Sequence, residues 1–354
     1  MNAVILAGGK GTRLRPLTLH TPKPIVPILA RPFLRYQVDL LKKTGIDNIV
    51  LSLSYQPRRI EEIFGDGSGH GVKIHYTMEP EPLGTGGAVK NAESLLDGPT
   101  VVFNGDVLAD LDLGAVLRFH KENKSKVTIV LTPVDNPTAY GLVETESDGR
   151  VKRFLEKPSY DEITCDTINA GVYVLEPETL DIMPKGANYS FERGFFPTLL
   201  KEQIPFYAYV HKGYWIDIGT PQKYLQVHRD ILSGVLPLED FKPNAGGTFV
   251  DPKATVESGA NLRGPGYIGE GTLVKSGANL EPYAVLGPNC RVEAGASIGN
   301  SVLWSSVRVG EEARVSDALI GRSAHIGHHA SVNGGVVLGD KTVLTDYSRI
   351  GPWP

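Results

Sequence analysis

Cysteine is nearly absent: Cys165 and Cys290 are the only two in 354 residues. Their scarcity excludes a disulfide framework and a cysteine-rich metal site. A charge excess of one sign is also missing. Forty Asp and Glu stand against 36 Lys and Arg, a net charge of −4, which argues against nucleic acid or an acidic membrane as the main partner. Long apolar runs are lacking too. The N-terminal one, residues 3–7, is too short for a signal peptide, and none approaches the roughly 20 residues of a membrane span. The expectation is a soluble, cytoplasmic protein, long enough for two domains.

What is present falls into two grammars. Up to about residue 235, short β-branched runs alternate with amphipathic stretches. NIVLSLS (48–54), TVVFNGD (100–106) and KVTIVLT (126–132) read as buried strands. FLRYQVDLLKKTG (33–45) reads as a helix, apolar at Phe33, Leu34, Val38, Leu40 and Leu41 and closed by Gly45. GGAVKNAESLL and LGAVLRFHKENK read as helices as well. This succession predicts βαβ units and a mainly parallel sheet, an α/β Rossmann-like domain over 1–235.

From 236 to 354 the helices stop and a repeat begins. Every sixth residue from Val250 is aliphatic: Val256, Leu262, Ile268, Val274, Leu280, Leu286, Val292 and Ile298. The phase slips by one before Leu303, Val309 and Val315, and again before Ile320, Ile326, Val332, Leu338, Leu344 and Ile350. Small residues such as Ala254, Ala260, Ala278 and Ala296 stand two positions earlier. A period of six fits neither helix nor simple strand. It predicts a solenoid of three short strands per triangular coil, with the two slips at corners. This resembles the left-handed β-helix of hexapeptide repeats, read chiefly as scaffold and as a surface for homo-oligomer contact. The terminal GPWP (351–354) is a candidate cap. An acyltransferase reading would use His325, His328 and His329.

AGGKGTRLRPLT (7–18) follows the first apolar run. It lacks the GK[ST] of a Walker A loop, and Leu14 stands where a dinucleotide fingerprint needs its last glycine. The physics of an anion-gripping turn remains. Glycines let backbone approach an anion, and Lys10, Arg13, Arg15 and Lys23 bring positive charge.

With TPKPIVPI, LGTGGAV (83–89), NGDVL (104–108), FLEKP (154–158), NAGVYVL (169–175) and YWIDIGTP (214–221) following in order, the chain resembles the sugar-1-phosphate nucleotidylyltransferases. Its tail is similar to that of the mannose-1-phosphate guanylyltransferase branch. The resemblance implies attack of a sugar 1-phosphate on a nucleoside triphosphate, giving a nucleotide sugar and pyrophosphate. It implies Arg13 and Lys23 as the catalytic phosphate contacts. Leu6, Gly8, Gly9, Gly11, Thr12, Glu79, Gly84 and Thr85 would frame the nucleotide. Gly141, Glu156, Lys157 and Asn169 would hold the sugar phosphate, and Asp106 and Asp217 would bind Mg²⁺.

At Glu79 the relatives that use uridine or thymidine nucleotides often carry glutamine. A carboxylate only accepts, and can take parallel bonds from guanine N1–H and N2–H₂. The expected substrates are therefore GTP and mannose 1-phosphate. The alternatives are a thymidylyl- or uridylyltransferase acting on glucose 1-phosphate, or a regulatory subunit that senses nucleotide sugars.

Overall fold

The computed structural model describes residues 1–352, so Trp353 and Pro354 of the candidate cap lie outside the described residues. Among the described residues no helix is long and apolar enough to cross a membrane. Two compact units divide the chain. The first comprises residues 1–10 and 34–215; the second comprises 11–33 and 216–354. The glycine-rich segment from Gly11 onward thus clusters with the repeat, although the change of grammar lies near residue 235.

In the first unit the β-branched runs become strands Asn2–Leu6 (β1), Asn48–Leu53 (β2), Lys73–Met78 (β3), Thr100–Asn104 (β4) and Val127–Pro133 (β5). Gly141–Thr145 (β6), Val151–Glu156 (β7), Thr167–Leu175 (β8) and Phe206–Val210 (β9) complete one nine-stranded sheet, ordered β7-β6-β8-β4-β1-β2-β3 with β5 joining β8 to β9. The β4-β1-β2-β3 half is parallel. β8 runs antiparallel to β4, β5 and β6. β9 also runs parallel to β5, so the sheet is mixed and mostly parallel, as expected.

Helices cover it: Phe33–Lys43 (α1), Pro57–Phe64 (α2), Gly84–Asn91 (α3), Leu113–Glu122 (α4) and Phe196–Lys201 (α5), of which periodicity predicts α1, α3 and α4. α1 buries Phe33, Leu34, Val38 and Leu41, and stops where the Ile46 N–H turns back to the Leu41 carbonyl (3.0 Å). Asp112 caps α4 by accepting from Ala115 N–H (2.9 Å). An aromatic core of Tyr173, Phe191, Phe195, Phe196 and Phe206 lies under the antiparallel half.

In the second unit, Pro221–Leu232 (α6) precedes a parallel three-sided β-helix of three six-stranded sheets. The aliphatic ladder is its core. Val250, Ile268, Leu286, Leu303, Ile320 and Leu338 stack in register along one wall. Both phase slips fall at corners, at Asn300 and Asp317, which adopt left-handed backbone (φ 44° and 49°). α6 docks there. The Arg229 guanidinium donates to Asn300 Oδ1 and pairs with Asp317 (3.7 Å), while Asn300 Nδ2 also donates to Asp317.

Candidate active site

β4 ends at the centre of the first unit's sheet, and the turn after it presents Asp106, half-buried. That turn is tied back to β1: Gly105 N–H donates to the Leu6 carbonyl (3.0 Å). A Cβ at Gly105 would lie only 2.4 Å from that oxygen, so the approach admits glycine alone.

Beside β1, the Glu79 carboxylate lies over the glycine turn, Oε1 being 3.1 Å from where a Gly8 Cβ would stand. Oε1 accepts from Ser52 Oγ (2.9 Å) and Oε2 from Leu83 N–H (3.0 Å). Each oxygen keeps a further lone pair for a ligand.

α3 begins at Gly84, and its Gly86 and Gly87 N–H groups both donate to the Tyr189 carbonyl (2.9 and 3.0 Å). Thr85 is committed to the same segment. Its hydroxyl donates to Glu192 Oε2 (3.1 Å) and accepts from Phe191 N–H (2.8 Å). Ser190 Oγ completes the grip on Glu192 Oε2 (2.6 Å). Sequence reasoning missed Glu192, although it carries the signal that singled out Asp217, an acid inside an apolar run (YSFERGFF).

The residues expected to hold the sugar phosphate lie on β6, β7 and β8. Gly141 and Glu156 are direct cross-strand partners, with Glu156 Oε2 3.3 Å from where a Gly141 Cβ would stand. Lys157 follows in left-handed backbone (φ 52°), exposed, its N–H bonded to the Tyr140 carbonyl (2.9 Å). Burial holds the Glu156 carboxyl above its usual pKa, the negative charge of Glu192 adds to this, and Lys157 and Arg193 oppose it.

Asn169 sits at an irregularity in β8 and already bonds at both ends of its amide. Its Oδ1 accepts from Gly171 N–H and its Nδ2 donates to Tyr173 Oη, each at 2.9 Å. Tyr173 is fully buried. Burial, and then the Glu192 charge, raise its phenol well above the usual value.

In the second unit, Gly11 (φ 60°) accepts Thr18 Oγ at its carbonyl (2.7 Å) and opens a 3₁₀ turn, Thr12–Leu14. Leu14 anchors the turn in the interior, leaving Thr12 and Arg13 exposed. Lys23, buried between Pro22 and Pro24, packs its Cβ 3.0 Å from where a Gly11 Cβ would stand. Asp217 ends the strand Trp215–Asp217, and three residues later the Thr220 hydroxyl accepts from Lys223 N–H (3.3 Å) to start α6. Asp217 Oδ1 is bonded to Lys223 Nζ. Lys223 was not foreseen, because an amphipathic helix start carries lysine for many reasons. Arg13, Lys23 and Asp217 therefore belong to one unit with the Lys223 ammonium, while Leu6, Gly8, Gly9, Glu79 and the sugar-side residues belong to the other.

Among the described residues no group of three or more His, Cys, Asp or Glu side chains is arranged to hold a metal ion. Asp106 in the first unit and Asp217 in the second each offer one carboxylate. A single carboxylate suits Mg²⁺, which takes one or two and completes its shell with substrate phosphates and water. The histidines of the tail are engaged separately: His328 Nδ1 accepts from Glu311 N–H (3.3 Å), and the His329 ring stacks on Tyr347.

The Nucleotidyl transferase family profile matches residues 2–234, and the EIF2B subunit epsilon LbH domain profile matches 245–350. The mannose-1-phosphate guanylyltransferase of Mycobacterium tuberculosis is 42% identical over 77% of this chain and 76% of its own. The UTP–glucose-1-phosphate uridylyltransferase of a Synechocystis species is 34% identical over 90% and 87%. The crystal structure of HddC from Yersinia pseudotuberculosis complexed with GMP-PN is 34% identical, with a TM-score of 0.54 over 64% of this chain and 97% of that one. With its α/β sheet followed by a left-handed β-helix, the chain belongs to the nucleotidyl transferase family and is a sugar-1-phosphate nucleotidyltransferase.

Proposed function

We propose that this enzyme transfers GMP from GTP to mannose 1-phosphate, releasing pyrophosphate. The observation that carries the choice of base is Glu79, a carboxylate over the glycine turn with one unused lone pair on each oxygen. Guanine alone among the common bases offers two adjacent donors, N1–H and N2–H₂, to such a pair. The similarity to the M. tuberculosis guanylyltransferase supports both the base and the sugar.

The reaction joins two anions by in-line displacement, so catalysis rests on charge neutralisation and positioning. Arg13, exposed on its short turn, grips the triphosphate with a planar fork. Lys23, buried between two prolines that restrict the local backbone, adds a positive charge. Leu6, Gly8, Gly9, Gly11 and Thr12 supply backbone to the nucleotide, with Gly84 and Thr85 framing the base. Lys157 meets the phosphate of the sugar, and Glu156, Gly141 and Asn169 face its hydroxyls. Asp106 and Asp217 would hold Mg²⁺, which when bound neutralises phosphate charge. Lys223 keeps the Asp217 carboxylate oriented and charge-balanced.

The similarity to a uridylyltransferase favours one competing reading, UTP with glucose 1-phosphate. Pyrophosphate release with Mg²⁺ separates the two, crossing GTP, UTP, dTTP, ATP and CTP with mannose 1-phosphate and glucose 1-phosphate. Release confined to GTP with mannose 1-phosphate is expected. Preference for UTP or dTTP with glucose 1-phosphate would overturn the assignment of base and sugar together.

A further inference from the structure

The segment that carries Arg13 and Lys23 has few regular elements of its own: three 3₁₀ turns and the two-residue pairing of Pro27–Ile28 with Arg31–Pro32. Irregular backbone of this kind needs outside support to hold a side chain to the tolerance that phosphoryl chemistry demands. That support comes from the β-helix, by two routes.

The first route runs through Tyr224 of α6. Its hydroxyl donates to the Pro27 carbonyl and accepts from the indole N–H of Trp304 (3.0 Å). Trp304 follows Leu303 of the aliphatic ladder. Both rings are buried, Tyr224 at 0% and Trp304 at 1% exposure. A phenol hydroxyl has one proton and can accept as well as donate, so this one is used in both senses. Pro27 lies four residues beyond Lys23, and between them Val26 N–H closes onto the Lys23 carbonyl (3.2 Å). α6 in turn is fixed lengthwise on the coils by Arg229 at Asn300 and Asp317.

The second route is direct. At Gly339, near the end of the repeat, a Cβ would stand 3.2 Å from Cβ of Pro16. Pro16 lies three residues beyond Arg13. The segment is thus braced three residues after Arg13 and four after Lys23, by coils far apart in sequence.

We infer that Tyr224, backed by Trp304, is a positioning residue for the phosphate-gripping segment 11–33, and that the β-helix thereby sets nucleotide affinity and turnover. The kinetic part of this inference rests on the nucleotidyltransferase activity; the structural part does not.

The test uses three full-length variants. Tyr224→Phe removes both bonds and keeps the ring, Trp304→Phe removes the donor behind it together with part of the indole volume, and Gly339→Ala crowds Pro16. Hydrogen exchange of the intact protein, read peptide by peptide, needs no substrate. Faster exchange confined to 11–33, with peptides of β2 and β3 unchanged, is the expected result. In the kinetic arm, kcat/KM for the nucleotide should fall about 10- to 100-fold, while KM for the sugar phosphate stays within about twofold. Unchanged exchange over 11–33 in folded variants would overturn the inference, as would a uniform rise across the chain or an equal rise in both KM values. If Tyr224→Phe does not fold, Trp304→Phe and Gly339→Ala carry the same readouts. If the wild type turns over none of the tested substrate pairs, exchange alone decides the positioning role, and only the substrate assignment fails.

Discussion

The Arg13 guanidinium and the Asp217 carboxylate converge on Gly219: a Cβ there would stand 2.8 Å from Arg13 Nη2 and 2.9 Å from Asp217 Oδ2. One methyl group at this point must displace Arg13, Asp217, or both, the proposed phosphate grip and metal ligand. Gly219→Ala is expected to lower kcat by about 100-fold, the cost of a misplacement near 1 Å. Thermal unfolding should be little changed, because Arg13 is exposed and can swing outward. Steady-state kinetics beside a melting curve checks both halves.

Glu79→Gln bears on the choice of base. Glutamine has one acceptor, which the Leu83 N–H needs because it can only donate; its NH₂ can then face Ser52 Oγ, which also accepts. The fold should therefore tolerate the change while the acceptor pair proposed to face guanine is lost. The ratio of kcat/KM for GTP to that for UTP should fall at least tenfold, equivalent to about 1.4 kcal/mol. A ratio unmoved by the substitution would remove Glu79 from base recognition.

Glu156 predicts an acid limb for sugar-phosphate binding. Burial, and then the charge of Glu192, raise its pKa, so it gains a proton at a higher pH than an ordinary glutamate. In the proposed sugar site protonation removes an acceptor from the hydroxyls, and KM for the sugar phosphate should climb as pH falls toward that pKa. Glu192→Gln deletes one of the two raising influences and should move the limb to lower pH. Burial remains, so the limb should persist. KM measured across pH in both proteins reads the shift.

His228 predicts how stability responds to acid. It is fully buried on α6, its Nδ1–H donating to the Tyr224 carbonyl (2.7 Å), and burial lowers its pKa from 6.5 to about 4. Between those values the unfolded chain binds a proton that the folded chain does not, so stability falls as pH drops from 6.5 toward 4. The loss from this residue should reach about 3 kcal/mol at the acid end. Denaturant midpoints from pH 4 to 7 should show that slope, and His228→Gln should flatten it.

The parts of the molecule written as local periodicity were legible in the chain. The six-residue ladder predicted the coils and placed both slips at corners, because each coil buries its own aliphatic residues against its neighbours. α1 was legible from its apolar stripe. Contacts between distant segments were not. Thr85, expected in the nucleotide frame, also holds Glu192, 107 positions away, through its hydroxyl. Asn169 was read as a sugar ligand, and its amide also stabilises the local turn and Tyr173. The grouping of residues 11–33 with the repeat left no local mark, since Tyr224, Trp304 and Gly339 each look like ordinary interior or corner residues in their own stretch.

A rod of identical coils has no address: a helix laid along it could bind one coil higher or lower, about 4.8 Å away, with nearly the same energy. The missing residues at Asn300 and Asp317 break that degeneracy. At these two stacked corners a polar side chain from each coil meets Arg229. Two single-residue deletions in a repeat thus act as an index mark, fixing where along the solenoid α6 must stop.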